Sequence, residues 1–91
     1  MTMASCSAEI PVLHDECLHL RPMQLLVERA LKFRSKLTLS RGGKAVDAKS
    51  MFDVMLLAAR KGPVALEAEG ADAEAAVRAL ADLLHRELNK E

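Results

Sequence analysis

The chain has 91 residues, enough for one domain with a small core, and residues 1–91 read as a single unit with 1–6 as a flexible N-terminus. Thirteen basic residues balance 13 acidic ones, and Trp and Tyr are absent, so nothing favours nucleic acid, whose binders need a basic face and often stacking aromatics. No apolar run is long enough for a bilayer, and Met1 to Ala8 lacks the basic start and apolar stretch of a secretion signal, so no membrane insertion and a cytoplasmic location are expected.

Ser7 to Leu13 reads as a first strand interrupted by Pro11, which cannot donate to a ladder and so points to a sheet edge. His14-Asp15-Glu16-Cys17 reads as a polar loop. Pro22 suits the first position of a helix, because the N–H it lacks would have had no intrahelical partner, and the helix is expected to run to about Arg34. Met23, Leu26, Val27, Ala30 and Phe33 or Arg34 keep the spacing of a buried stripe, while Gln24, Glu28, Arg29 and Lys32 face water. Leu25 and Leu31 fall off the stripe and are read as flank packing.

Lys36 to Ser40 alternates polar with apolar residues, Gly42-Gly43 supplies the positive φ values of a tight turn, and Lys44 to Asp47 returns as the partner strand. Ser50 with Asp53 three positions on has the form of a capping box, opening a short helix to about Arg60, with Gly62 and Pro63 beyond its end. Val64, Leu66 and Ala68 form the inward face of a last strand. Asp72 can cap a final helix with the stripe Ala73, Ala76, Val77, Leu80, Leu84 and Leu88, leaving His85 solvated. The order strand, helix, strand, strand, helix, strand, helix belongs to the α+β class.

The chemistry is expected where the loop meets the first helix. Helix beginnings carry free backbone N–H groups and the positive end of the macrodipole, which together receive anions, phosphate included. Beside that site stand His19, a nitrogen nucleophile titrating near neutrality, and Arg21, a permanent cation with a forked set of donors. Phosphoryl transfer through a histidine follows from that grouping.

His19-Leu20-Arg21-Pro22 is similar to the histidine, small residue, arginine, proline signature of the HPr family, the histidine-containing phosphocarriers of the bacterial phosphoenolpyruvate-dependent sugar phosphotransferase system. Asp47-Ala48-Lys49-Ser50-Met51 resembles that family's second signature, around a regulatory serine, and the likeness continues through Lys61-Gly62 and Glu69 to Glu74. The resemblance implies a four-stranded antiparallel sheet ordered 1-4-2-3 with three helices on one face. It also implies a carrier and not a stand-alone enzyme, without a cofactor and monomeric. His19 would take a phosphoryl group from enzyme I and pass it to an enzyme IIA, with stabilisation from Arg21 and the Leu20 N–H. Ser50 would be open to an HPr serine kinase/phosphorylase, and Met23, Gln24, Met51, Phe52 and Met55 would meet partners.

The chain departs from the family at several places. Cys17 stands where glycine is usual, Leu20 and Met23 where small residues are usual, Asp53 where glycine is usual, and Gln24, Glu28 and Leu31 where basic residues are frequent. Two other readings remain open. One is a regulatory HPr-like module acting by binding through Met51, Phe52 and Met55, on a helix whose only polar residue before Arg60 is Asp53. The other is a metal site of Cys17, His19 and His14, for which no complete four-ligand spacing is present; no metal is expected.

Overall fold

The computed structural model describes residues 5–10 and 20–88, with Leu88 described in its backbone only. The chain forms β1 (Ser5–Ile10), α1 (Leu20–Ala30), β2 (Lys36–Arg41), β3 (Lys44–Asp47), α2 (Met51–Ala58), β4 (Val64–Glu69) and α3 (Ala73–Leu88). The strands make one sheet in the order β1-β4-β2-β3, with every neighbouring pair antiparallel. This is the strand order that the family resemblance implied.

Alternation decides the two faces of the sheet. Leu37, Leu39, Val64, Leu66 and Ala68 are buried against the helices, whereas Ser5, Ser7, Glu9, Lys36, Glu67 and Glu69 are exposed on the open face. The stripe Met23, Leu26, Val27 and Ala30 of α1 is buried as its spacing predicts, as are Ala73, Ala76, Val77, Leu80 and Leu84 of α3. Leu83 is buried too. That helix packs on β1, β4 and α1 together, so its apolar face is wider than one stripe.

Several boundaries differ from the sequence expectation. β1 begins at Ser5, not Ser7, because β4 is long enough to pair Glu69 with Ser5 and Ala68 with Cys6; these two residues belong to the sheet and not to a flexible terminus. It ends at Ile10, and residues 11–13, expected in the same strand, lie outside the described residues. α1 begins at Leu20 and not at Pro22. Proline is tolerated throughout the first turn, where N–H groups lack intrahelical acceptors, so its presence does not fix the first residue.

The last turn of α1 explains why it stops at Ala30 instead of Arg34. Lys32 and Phe33 donate to the carbonyls of Arg29 and Ala30 in tightened bonds of 3.1 and 3.2 Å. The next two N–H groups, of Arg34 and Ser35, leave the helix and donate to the carboxylate of Asp72 at 2.8 Å each, joined by the Ser35 hydroxyl. These donors, the Ser35 hydroxyl first and the Arg34 N–H next, hold the Asp72 carboxyl well below its usual range, at about 2. Asp72 precedes α3 and its carbonyl accepts from Ala76 at 2.9 Å, but its side chain serves the end of another helix. Gly70, at φ 147°, lets the two loops meet: a Cβ there would lie 2.7 Å from the Ser35 Oγ.

α2 ends at Ala58, two residues short of Arg60, where a buried arginine takes over. Arg41 continues the inward face of β2 and is 2 % exposed. Its Nε donates to the Gly62 carbonyl at 2.8 Å and its Nη1 to the Ala58 carbonyl at 3.5 Å, so a cation sits at the negative end of the helix. Arg60 answers from the other side, donating to the Gly42 carbonyl at 2.7 Å. Between them the hairpin turn, with Gly42 and Gly43 at φ 58° and 81°, is stitched to the α2–β4 loop.

Candidate phosphoryl site and docking face

His19, Cys17 and His14 lie outside the described residues, which resume at Leu20. Of the His19-Leu20-Arg21-Pro22 motif the structure describes the part that opens the first turn of α1. An α-helix bonds each N–H to the carbonyl four positions earlier, so the N–H groups of Leu20 and Arg21 have no intrahelical acceptor, and Pro22 has no N–H at all. Both residues are exposed, and the first turn holds no acidic residue. Two backbone donors, a helix dipole and a guanidinium thus lie next to the chain position of His19, with no acidic residue in the first turn of the helix.

The first turn of α2 is different. Ser50 has the extended backbone of an N-cap, φ −106° and ψ 110°, and its hydroxyl accepts from the Asp53 N–H at 3.4 Å. The capping box is only half made, because the Ser50 N–H donates to the Asp47 carbonyl at 3.1 Å instead of to Asp53. Asp47 also accepts from the Lys49 N–H at 2.9 Å, while the Lys49 ammonium reaches the Phe33 carbonyl at 2.7 Å. Ser50 is thus flanked by two carboxylates, and the nearest lysine is engaged with the end of α1.

α2 divides its apolar side chains as its composition predicts. Val54, Leu57 and Ala58 enter the core, and Met51 packs partly against it. Phe52, at 68 % exposed, Met55 and Leu56, at 53 %, form an outward stripe. Leu56 was missed in the sequence, although its four-residue spacing from Phe52 and adjacency to Met55 mark the same face. Met51 contributes less to that face than expected.

On α1, Gln24 and Glu28 are exposed. Met23 is only 1 % exposed, so the stripe it belongs to claims its side chain for the core, and the expected contact role is corrected. Leu31, read as flank packing, is instead 62 % exposed because the helix has ended one residue before it. Leu25 does pack against the core.

Among the described residues no group of His, Cys, Asp and Glu is placed to hold a metal ion, and no helix is long and apolar enough to cross a membrane. The metal reading falls on residues 14, 17 and 19, outside the described residues.

Comparison with known proteins agrees with this arrangement. A family model described as the PTS HPr component phosphorylation site matches residues 6–86. The phosphocarrier protein HPr of Xylella fastidiosa strain Temecula1 is 39% identical over 84 residues, spanning 91% of this chain and 94% of that protein. Among solved structures, HPr-C-His from Thermoanaerobacter tengcongensis superposes with a TM-score of 0.78 at 36% identity, covering 94% of this chain and 98% of its own. A phosphocarrier protein HPr from Bacillus anthracis gives 0.76 at 33% identity, covering 88% and 96%.

Proposed function

The chain belongs to the HPr family of phosphocarrier proteins, and from that premise we propose that His19 accepts a phosphoryl group from enzyme I and passes it to an enzyme IIA of a sugar phosphotransferase system. The observation that carries this is the start of α1 at Leu20, the residue after His19, with two N–H groups and Arg21 available to an anion. In the first transfer the neutral imidazole of His19, at Nδ1, attacks phosphorus. The new N–P bond forms as the donor histidine's N–P bond breaks, and the freed imidazole keeps the electron pair. Passing the group on reverses these roles. Such a reaction needs positioning and charge stabilisation from the protein more than covalent help, which the Leu20 N–H and the Arg21 guanidinium supply.

Phe52, Met55 and Leu56, with the exposed Gln24 of α1, the helix that packs against α2, form the docking face for enzyme I and the enzyme IIA. Met51 supports that face from its half-buried position. Ser50 is the regulatory site for an HPr serine kinase/phosphorylase, and the carrier works as a monomer. The test is incubation with phosphoenolpyruvate and enzyme I. Acid-labile, alkali-stable phosphate on His19, absent in His19→Ala, is the expected result, and an unlabelled chain beside an active enzyme I overturns the reading.

A further inference from the structure

The two ends of α1 meet different surroundings. Its first turn follows the chain position of His19, and 11 helical residues carry the chain about 16 Å away from it. At that far end the N–H groups of Arg34 and Ser35 are fixed by the Asp72 carboxylate at 2.8 Å each, and the Lys49 ammonium donates to the Phe33 carbonyl at 2.7 Å. β2 starts there with Lys36, which pairs with Glu69.

A shallow concavity of about 520 Å³ opens between the start of β2 and the edge strand β3, a volume within the range of small-molecule sites. Arg34, Lys36 and Lys49 line it, with Asp47 as its one acidic residue and Ala45 and Val46 as an apolar wall. Arg34 and Lys36 are exposed and Lys49 is half-buried. Among the described residues none of the three cations closes an ion pair. Asp47 accepts from the Lys49 N–H at 2.9 Å, and Glu69 stands opposite Lys36 in the ladder without bridging to it. The lining therefore carries a surplus of two positive charges, and a phosphate monoester, with about 1.5 to 2 negative charges near neutral pH, matches it. The donors are also held ready. Asp72 fixes the backbone at Arg34 and Ser35, and the Lys49 ammonium gives one of its three N–H bonds to Phe33 and keeps two. The same contact covers the carbonyl end of α1, whose partial negative charge would oppose an anion. Arg34 adds a planar fork of donors suited to two phosphate oxygens.

We propose that Arg34, Lys36 and Lys49 bind the phosphate of a small organic phosphate ester whose apolar body lies on Ala45 and Val46, at the end of α1 away from His19. The binding is reversible and non-covalent. It involves no group of the phosphoryl site, so it stands apart from the reading of His19 as acceptor, and the ligand is held whether or not His19 carries a phosphoryl group.

The experiment titrates the nitrogen-15-labelled chain with phenyl phosphate and with inorganic phosphate at constant ionic strength, following amide shifts. Saturable shifts confined to residues 34–38 and 45–49 are expected, with phenyl phosphate bound roughly tenfold more tightly than inorganic phosphate because its ring gains the apolar wall. Arg34→Gln/Lys36→Gln is expected to weaken phenyl phosphate by about tenfold or more, and Lys36→Gln alone by about threefold. Arg78→Gln/Arg86→Gln, which removes the same charge from the exposed side of α3, is expected to stay within about twofold of wild type. His19→Ala is expected to bind as wild type does. Matching thermal unfolding establishes that folded chains are compared. Equal weakening in the two double variants, or loss of binding in His19→Ala, overturns the site. So do shifts that rise without saturating at exposed cations all over the surface, the mark of an adventitious ion only. Inorganic phosphate bound as tightly as phenyl phosphate overturns the organic ligand.

Discussion

α1 and α2 both begin beside a residue with a possible phosphate attachment, yet their first turns are built for opposite purposes. At α1 the backbone donors of Leu20 and Arg21 have no acceptor within the helix, no acidic side chain lies in the first turn, and a guanidinium adds positive charge. At α2 the cap is internal: the Ser50 hydroxyl takes the Asp53 N–H, and Asp47 and Asp53 bring negative charge to either side. The dipole is the same in both helices. Side chains within one turn decide whether it is kept open for an anion or spent on holding the fold.

The strongest way to break the contrast is to remove the cation from the open end. Arg21→Gln is expected to slow phosphorylation of His19 by about 10²-fold, the size of losing one charge-stabilising donor, with stability unchanged because Arg21 is exposed. Rapid-quench transfer rates beside a denaturant titration check both halves. If the rate holds, the α1 end is not the stabilising element.

Asp72 extends the comparison to a third helix start, where the side chain is neither open nor a cap for its own helix. Its carboxyl lies at about 2 instead of 3.8, so the stabilisation it gives is fully present above pH 3.8 and is lost as pH falls through 2. Asp72→Asn is therefore expected to be less stable than wild type at neutral pH, with the difference shrinking between those values. Urea unfolding as a function of pH measures it, and a gap independent of pH would assign the effect to shape instead of charge.

Ser50→Ala removes the internal cap of α2 and is expected to cost about 1 kcal/mol, read as a lower unfolding midpoint. The smallest effect sharpens the contrast most directly. Asp53→Gly should speed phosphorylation of Ser50 by an HPr kinase, since the Asp53 charge opposes an incoming phosphate by about 1 kcal/mol or less when screened by solvent. The acceleration should shrink with added salt; a wild type as fast as the variant would show that Asp53 is no brake.

What the sequence disclosed follows the range of the cause. The stripe from Met23 to Ala30, the Gly42-Gly43 turn and the Ser50 cap depend on residues within a turn or two, and each stands where its spacing placed it. The end of α1 depends on Asp72, 38 positions from Arg34, and no local pattern carries that information. The burial of Arg41 is similar: alternation in β2 points it inward, but only the arrival of the Ala58 and Gly62 carbonyls gives a buried guanidinium its acceptors. Among the candidate site residues, the exposure of Phe52 and Met55 followed from the composition of α2, and the cap at Ser50 from its spacing to Asp53. The contact role of Met23 did not follow, because one position satisfied both the core stripe and the family's contact surface, and packing chose the core.

Pro22 has a consequence for how tightly the proposed phosphoryl group is gripped. A phosphoryl group presents three terminal oxygens, and a first helical turn with an ordinary residue at that place would offer one more backbone donor to them. Proline withdraws it, so the backbone would leave part of the anion to the exposed Arg21 fork and to water. A cage that saturated every oxygen would bind the loaded form deeply and slow the onward step, because stabilising a ground state as much as a transition state lends nothing to turnover. With one donor missing, a phosphoryl group on His19 would be lodged lightly enough to be surrendered, and the readiness to give it up would lie in a ring that carries no N–H.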